Sequence, residues 1–166
     1  MFVDTLNKVK VAAGFPGFEL RYIGPILDPR ESEALLRALK GRPWARYLGE
    51  VPHAAMRAAL EDADVVLNCS LSEGGMANSV LEALAFGRAV LASDIAGNRS
   101  VIEHGVTGLL FRGPDDFADH ARRLLSDPRL RLTLGEAGRA RASRFGPEKE
   151  IEGYLRLYDR LVSACP

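Results

Sequence analysis

The densest chemistry in this chain lies in the stretch Ser72-Glu73-Gly74-Gly75-Met76-Ala77-Asn78-Ser79-Val80-Leu81-Glu82-Ala83-Leu84-Ala85-Phe86-Gly87. An apolar run, Val65-Val66-Leu67-Asn68-Cys69-Ser70, precedes it and reads as a buried parallel strand. The chain then passes a glycine pair and opens an apolar helix. A strand, a glycine turn and a helix N-terminus present free backbone N–H groups and a positive dipole end, which suits a phosphate. Glu73 and Glu82 bracket the turn. Carboxylates repel phosphate, so these two must face something neutral that carries hydroxyls. A diphosphate with a polyol at each end meets both demands, and a nucleotide sugar is such a ligand.

The segment SEGGMANSVLEALAFGRAVLAS resembles the Glu-x7-Glu signature of retaining family 4 glycosyltransferases of the two-domain GT-B type, S-E-G-x-x-x-x-x-L-E-A-x-A-x-G-x-P-V-x-A-S. Asp94 to Phe111 is similar to the same family's P-G-N-x-x-V-I-x-x-G-x-T-G-L-L-F segment, and Tyr47-Leu48-Gly49-Glu50-Val51-Pro52-His53 to its L-G-x-V-P turn. The likeness covers roughly residues 18–145. Three departures stand out. Eight residues separate Glu73 from Glu82 where the family has seven, and Ser100 stands where the family often has Glu. The strand and G-x-x-x-x-x-K-G segment that open the family's C-terminal domain have no counterpart here, nor does the N-terminal acceptor domain.

The resemblance implies a donor-nucleotide half-site that takes a UDP-, GDP- or ADP-sugar, with no cofactor and no metal. Glu73 is then the catalytic-side acid, meeting hydroxyls of the transferred sugar near the anomeric carbon. Gly74, Gly75, Met76, Ala77, Asn78 and Ser79 meet the distal phosphate and the sugar, largely through backbone N–H groups. Glu82 accepts from the two ribose hydroxyls, and Gly49, Glu50 and Val51 flank the base. The partners it implies are the nucleoside-diphosphate sugar and the acceptor domain, with turnover weak or absent in the chain alone. Plainer readings stand beside these. Glu73 reads equally as an exposed loop acid, Asn78 and Ser79 as helix caps, and Ser79-x-x-Glu82 as a capping box. Residues 49–51 also read as a plain loop. A non-catalytic nucleotide-binding or protein-interaction module of the same fold is the rival for the whole chain.

Composition sets the outer bounds. The 166 residues are 47% hydrophobic and 27% charged, ordinary for one globular domain able to bury a core. Lys plus Arg equals Asp plus Glu at 22 each, so no global field favours nucleic acid or an anionic membrane. No apolar run approaches the ~20 residues of a membrane span. Two cysteines, Cys69 and Cys165, argue against a disulfide framework and suit a reduced, cytoplasmic setting. His53, His104 and His120 have no triad or metal-ligand partner at sensible spacing, and all three read as exposed.

The elements that must position these residues alternate strand and helix. Strands are expected at 18–23, 45–48, 65–69, 89–92 and 108–111. Helices are expected at 4–13, 28–40, 52–60, 79–86 and 98–103, then at 114–126, 128–144 and 147–163, each of the last three opening with proline. This pattern argues for an α/β fold: a doubly wound parallel sheet, the Rossmann-like half of a GT-B fold, with about five strands, helices on both faces and a helical C-terminal tail. The whole chain reads as a single donor-binding domain, with a core at about 1–126 and C-terminal helices at about 127–164. In such sheets ligands bind beyond the carboxyl ends of the strands. Lacking the family's first strand, the strands at 18–23 and 65–69 either pair directly, borrow a strand (a homodimer supplies one), or stay incomplete.

Overall fold

The computed structural model describes residues 18–25, 29–72 and 74–163. The elements run β1 (Leu20–Ile23), α1 (Pro29–Leu39), β2 (Ala45–Gly49), α2 (His53–Asp62), β3 (Val65–Asn68), α3 (Asn78–Ala85), β4 (Ala89–Ser93), α4 (Ala96–Val101) and β5 (Leu109–Phe111). The tail follows as α5 (Pro114–Ser126), α6 (Pro128–Ala142), a 3-10 turn at Ser143–Phe145 and α7 (Pro147–Ser163). The helix expected at 4–13 lies outside the described residues. Proline opens each tail helix because its missing N–H has no partner in a first turn anyway. Asp127 adds a cap to α6, accepting from the amides of Arg129 at 2.9 Å and Leu130 at 3.0 Å.

All strand pairs are parallel, as the βα alternation requires. The register Val65↔Ala89 and Leu67↔Leu91, then Leu91↔Leu109 and Ser93↔Phe111, aligns the apolar runs across β3, β4 and β5. Successive strand side chains point to opposite faces, and the core divides accordingly. Ala89, Leu91, Leu109 and Phe111 cluster with Phe117, Ala121 and Leu124 of α5 and Leu134 of α6. Val90, Ala92 and Leu110 cluster with Val80, Ala83 and Leu84 of α3 and Val101 of α4. Both faces of the sheet are therefore covered by helices.

The five strands do not form one continuous ladder among the described residues. β1 pairs with β2, and β3, β4 and β5 form a second sheet. Direct pairing of β1 with β3, one of the arrangements the sequence allows, is not what is found. The exposure pattern shows the consequence. Every residue of β4 and β5 is buried, whereas Val65, Val66 and Leu67 of β3 are only half-buried. A strand with three successive apolar residues, as β3 has at Val65–Leu67, suits the middle of a sheet. The two sheets nonetheless share a core, since Leu20, Ala45, Tyr22, Val65, Leu67 and Cys69 belong to the same cluster as Leu91. Arg21 of β1 pairs with Asp62 at 2.5 Å, just ahead of β3. The Tyr22 phenol is pushed up to about 12, by burial first and by the neighbouring Cys69 second.

Two glycines let α6 press onto the sheet's loops. A Cβ on Gly135 would stand 2.1 Å from the Gly87 carbonyl oxygen, and one on Gly138 would stand 2.6 Å from Leu84 Cδ2. Backbone cannot yield as a flexible side-chain tip can, so Gly135 is the stricter requirement. Gly135→Ala is expected to cost about 1–3 kcal/mol through overpacking, read as a lower urea midpoint at unchanged slope. An unshifted midpoint would show that α6 has room to move away.

A second expectation concerns acid. Arg21, and then Arg46, hold the Glu19 carboxyl down to about 2 from its ordinary 4.5. A lowered folded-state value stabilises at pH above the ordinary one and is lost as pH falls through it. The loss therefore falls between about 4.5 and about 2. Glu19→Gln should lose less stability than wild type across that window. Parallel losses in the two proteins would mean that this exposed pairing contributes nothing.

Candidate functional site

Helix α3 begins without a side-chain cap. Its N-cap residue is Ala77, held at φ −72° and ψ 113°, and alanine has no oxygen to offer. The amides of Val80 and Leu81 both turn back to the Ala77 carbonyl at 3.0 Å. Those of Asn78 and Ser79 have no acceptor among the described residues. The first turn carries no acidic side chain to neutralise the dipole. Gly74, Gly75 and Met76 are exposed, as are Asn78 and Ser79, while Ala77 is tucked in at 4% exposure. The turn is thus open to solvent, with bare N–H groups at the end of an eight-residue helix.

This overturns the plainer reading of the acid at 82. The helix starts one residue earlier than expected, which places Glu82 in the second turn, out of reach of a capping box. Its side chain is half-buried and has no hydrogen bond among the described residues. Asn78 and Glu82 are four apart and share a helix face, while Val80, Ala83 and Leu84 turn to the core. Glu73, the proposed sugar-side acid, lies outside the described residues, so the structure neither gathers it into the site nor removes it.

Residues that sequence reasoning did not group hold the entrance to this turn. Asn68 ends β3 and Ser93 ends β4, both 8% exposed. Asn98, on α4, is fully buried and donates from Nδ2 to Asn68 Oδ1 at 3.1 Å, to the Ser93 carbonyl at 2.9 Å and to Ser93 Oγ at 3.2 Å. Ser93 Oγ donates in turn to the Ser70 carbonyl at 2.5 Å, and the Ser70 amide donates to Asn68 Oδ1 at 3.2 Å. The only sequence signal was a polar residue closing each of two apolar runs, VVLN and AVLAS. Next to this network Asp94 receives Arg99 and Arg112, each at 2.9 Å, and the Arg112 guanidinium above all holds its carboxyl below the usual range. Arg99 is thus engaged with Asp94.

Gly49 ends β2 at φ +76°, a left-handed conformation that glycine adopts without strain. Its carbonyl accepts from the Gly24 amide at 2.9 Å, which joins the carboxyl ends of β1 and β2. Glu50 is exposed and Val51 half-buried. One of the histidines expected to be exposed is not. His104 is exposed, but His120 is half-buried, with ring centroids 5.3 Å apart. The Leu110 amide donates to His104 Nδ1 at 3.0 Å. Burial, with His104 and then Arg123 adding to it, makes His120 harder to protonate than usual.

Parallel strands, helices on both sheet faces and an uncapped helix after the third strand define a Rossmann-like domain with an exposed glycine turn at the strands' carboxyl end. The chain belongs to the family described as glycosyl transferases group 1, whose profile matches residues 1–127. A Xenopus tropicalis protein named glycosyltransferase 1 domain-containing protein 1 is 34% identical over 86% of this chain and 41% of its own length. Sucrose-phosphate synthase from Thermosynechococcus elongatus superposes with a TM-score of 0.79 at 27% identity, over 98% of this chain and 43% of that one. Anabaena HepE, crystallised with UDP-glucose, superposes at 0.77 with 19% identity over 98% and 44%, a likeness of fold. The chain thus spans about two fifths of each of these proteins. Among the described residues no helix is long and apolar enough to cross a membrane.

Cys69 follows β3 into the site, and burial pushes its thiol up to about 11. Thiolate is the reactive form, so iodoacetamide near neutral pH should label Cys69 only after denaturation, as read by peptide mass mapping. Rapid labelling of the native protein would show that the β3 exit opens to solvent.

Proposed function

We propose that this chain is the donor-binding half of a retaining glycosyltransferase that takes a sugar from a nucleoside diphosphate. The observation that carries the reading is the uncapped start of α3, with the amides of Asn78 and Ser79 unpaired among the described residues beside an exposed glycine turn. Phosphate oxygens accept from such amides, and the helix dipole favours their charge. Glu82 stands four residues along the same face, about 6 Å up the axis at the ordinary helical rise. A carboxylate at that remove is clear of the phosphate and meets groups a few bonds away, which in a nucleotide are ribose hydroxyls. Glu73 is assigned the hydroxyls of the transferred sugar, and Gly49, Glu50 and Val51 the base, as the family likeness implies.

The chemical burden of such a transfer is charge. The diphosphate leaves as the anomeric carbon becomes cationic, and N–H groups aimed at the leaving oxygens stabilise that change selectively. Groups that activate the acceptor belong to the part of the relatives' length that this chain does not span. The reaction accordingly needs that part, supplied as the N-terminal acceptor domain, and the chain alone is expected to bind donor without turning it over.

Titration calorimetry with UDP, GDP, ADP and their sugars tests the reading. One base should bind best, and Glu82→Ala should weaken it about 10- to 100-fold, the worth of a hydrogen bond to a charged group at about 1.5–3 kcal/mol. No binding by any diphosphate would end the proposal. Binding unaffected by Glu82→Ala would leave a nucleotide-binding module that does not use this acid.

A further inference from the structure

Asn98 is fully buried, yet its side-chain carbonyl oxygen has no donor among the described residues. The amide cannot gain one by turning over, because Oδ1 would then face Asn68 Oδ1 and the Ser93 carbonyl, both acceptors. The Nδ2 contacts hold it in this orientation, leaving the oxygen buried and unmatched. Those contacts converge on one short piece of backbone. Ser70 is gripped at both of its peptide groups: its amide donates to Asn68 Oδ1, and its carbonyl accepts from Ser93 Oγ. Both gripping side chains are in turn held by Asn98 Nδ2. Ser70 is the last point before the chain leaves for Leu71, which is 91% exposed, and the glycine turn.

We infer that Asn98 is a positioning residue for the donor turn: through Asn68 and Ser93 it fixes Ser70, and so sets where the amides of Gly74 to Ser79 stand, without touching the donor itself. The role in binding rests on the donor-site reading above; the mechanical role does not. Removing Asn98 leaves the other acceptors provided for. Asn68 Oδ1 keeps the Ser70 amide, and the Ser93 carbonyl keeps the Ile95 amide at 2.9 Å. What is lost is the connection that makes the two grips act together.

The test compares Asn98→Ala and Ser93→Ala with Leu124→Ala, a truncation at a fully buried position of α5 whose side chain packs into the cluster on the opposite face of the sheet from α3. Each variant of the 166-residue chain is examined by amide hydrogen exchange and by calorimetry with the best-binding nucleoside diphosphate. Asn98→Ala and Ser93→Ala should speed exchange at residues 70–79 at least tenfold and weaken binding about tenfold. Leu124→Ala should lower the melting temperature comparably while leaving both readings near wild type. Exchange at 70–79 unchanged in Asn98→Ala, or raised equally by Leu124→Ala, overturns the inference. Faster exchange with no nucleotide bound even by wild type would uphold the clamp and sink the donor-site reading instead. Ser93→Ala removes a single hydroxyl, so it keeps the question decidable if Asn98→Ala fails to fold.

Discussion

The first four amides of an α-helix have no partner within it. What this chain does with those of α3 governs the rest of the site. A serine, aspartate or asparagine at the cap would have satisfied one of them and repelled an incoming anion's claim on it. Ala77 cannot, and its own side chain is spent in the core beside Val80 and Ala83. The helix is thereby anchored by packing on one side and left electrostatically unfinished at its end. A bare terminus would be a cost in an isolated helix. Here the sheet behind it supplies the stability that a cap would otherwise add.

That stability comes from a two-faced core and the close seating of α6. Leu84 packs beneath α3 and also limits Gly138, while Gly87, which ends α3's loop at φ +67°, limits Gly135. One helix of the tail therefore braces the element that carries the candidate site. Asp127 starts α6 and Arg141 closes off α4, donating to the Val101 carbonyl at 2.5 Å and the Ser100 carbonyl at 3.2 Å. The tail is part of the scaffold of the site, although none of its residues approaches the turn in sequence.

Much of this scaffold was legible in the sequence because it rests on local signals. The apolar runs at 65–68, 89–93 and 109–111 had to be strands, and Pro114, Pro128 and Pro147 fixed three helix starts. The α3 boundary was harder. Asn78 and Ser79 are both good caps, and an alanine cap carries no local signature, so the helix was placed one residue late and Glu82 was offered a capping box that does not form. The Asn68–Ser93–Asn98 network was invisible because its members are 25 and 5 residues apart and meet only through sheet register. His120 read as exposed because a helix position says nothing about what the neighbouring His104 turn covers. The split between β1–β2 and β3–β4–β5 was anticipated as a gap, since the family's first strand had no counterpart. How that gap is handled depends on chain-scale packing, which no local pattern encodes.

The balance of charge at the turn sets what the site can achieve by itself. Arg99 and Arg112 are committed to Asp94, and α3 has no basic residue in either terminal turn. Among the described residues of the turn, what remains for the proposed diphosphate is the helix end, worth about 0.3–1 kcal/mol per exposed charge interaction, together with a few hydrogen bonds of about 1.5–3 kcal/mol to a charged acceptor. Those terms orient a phosphate well. They are of the same order as the ~4–15 kcal/mol of translational and rotational freedom that binding gives up, so they leave little net affinity by themselves. On the proposed donor-site reading, affinity then leans on the rest of the ligand: ribose on Glu82, base against the Gly49–Val51 turn, sugar near the glycine pair. A ligand recognised at three places along its length, with only weak purchase at its most charged point, is one that leaves easily once the bond to its sugar is cut. If the proposed transfer is what this site serves, that weakness helps it, because the diphosphate has to leave after every turnover.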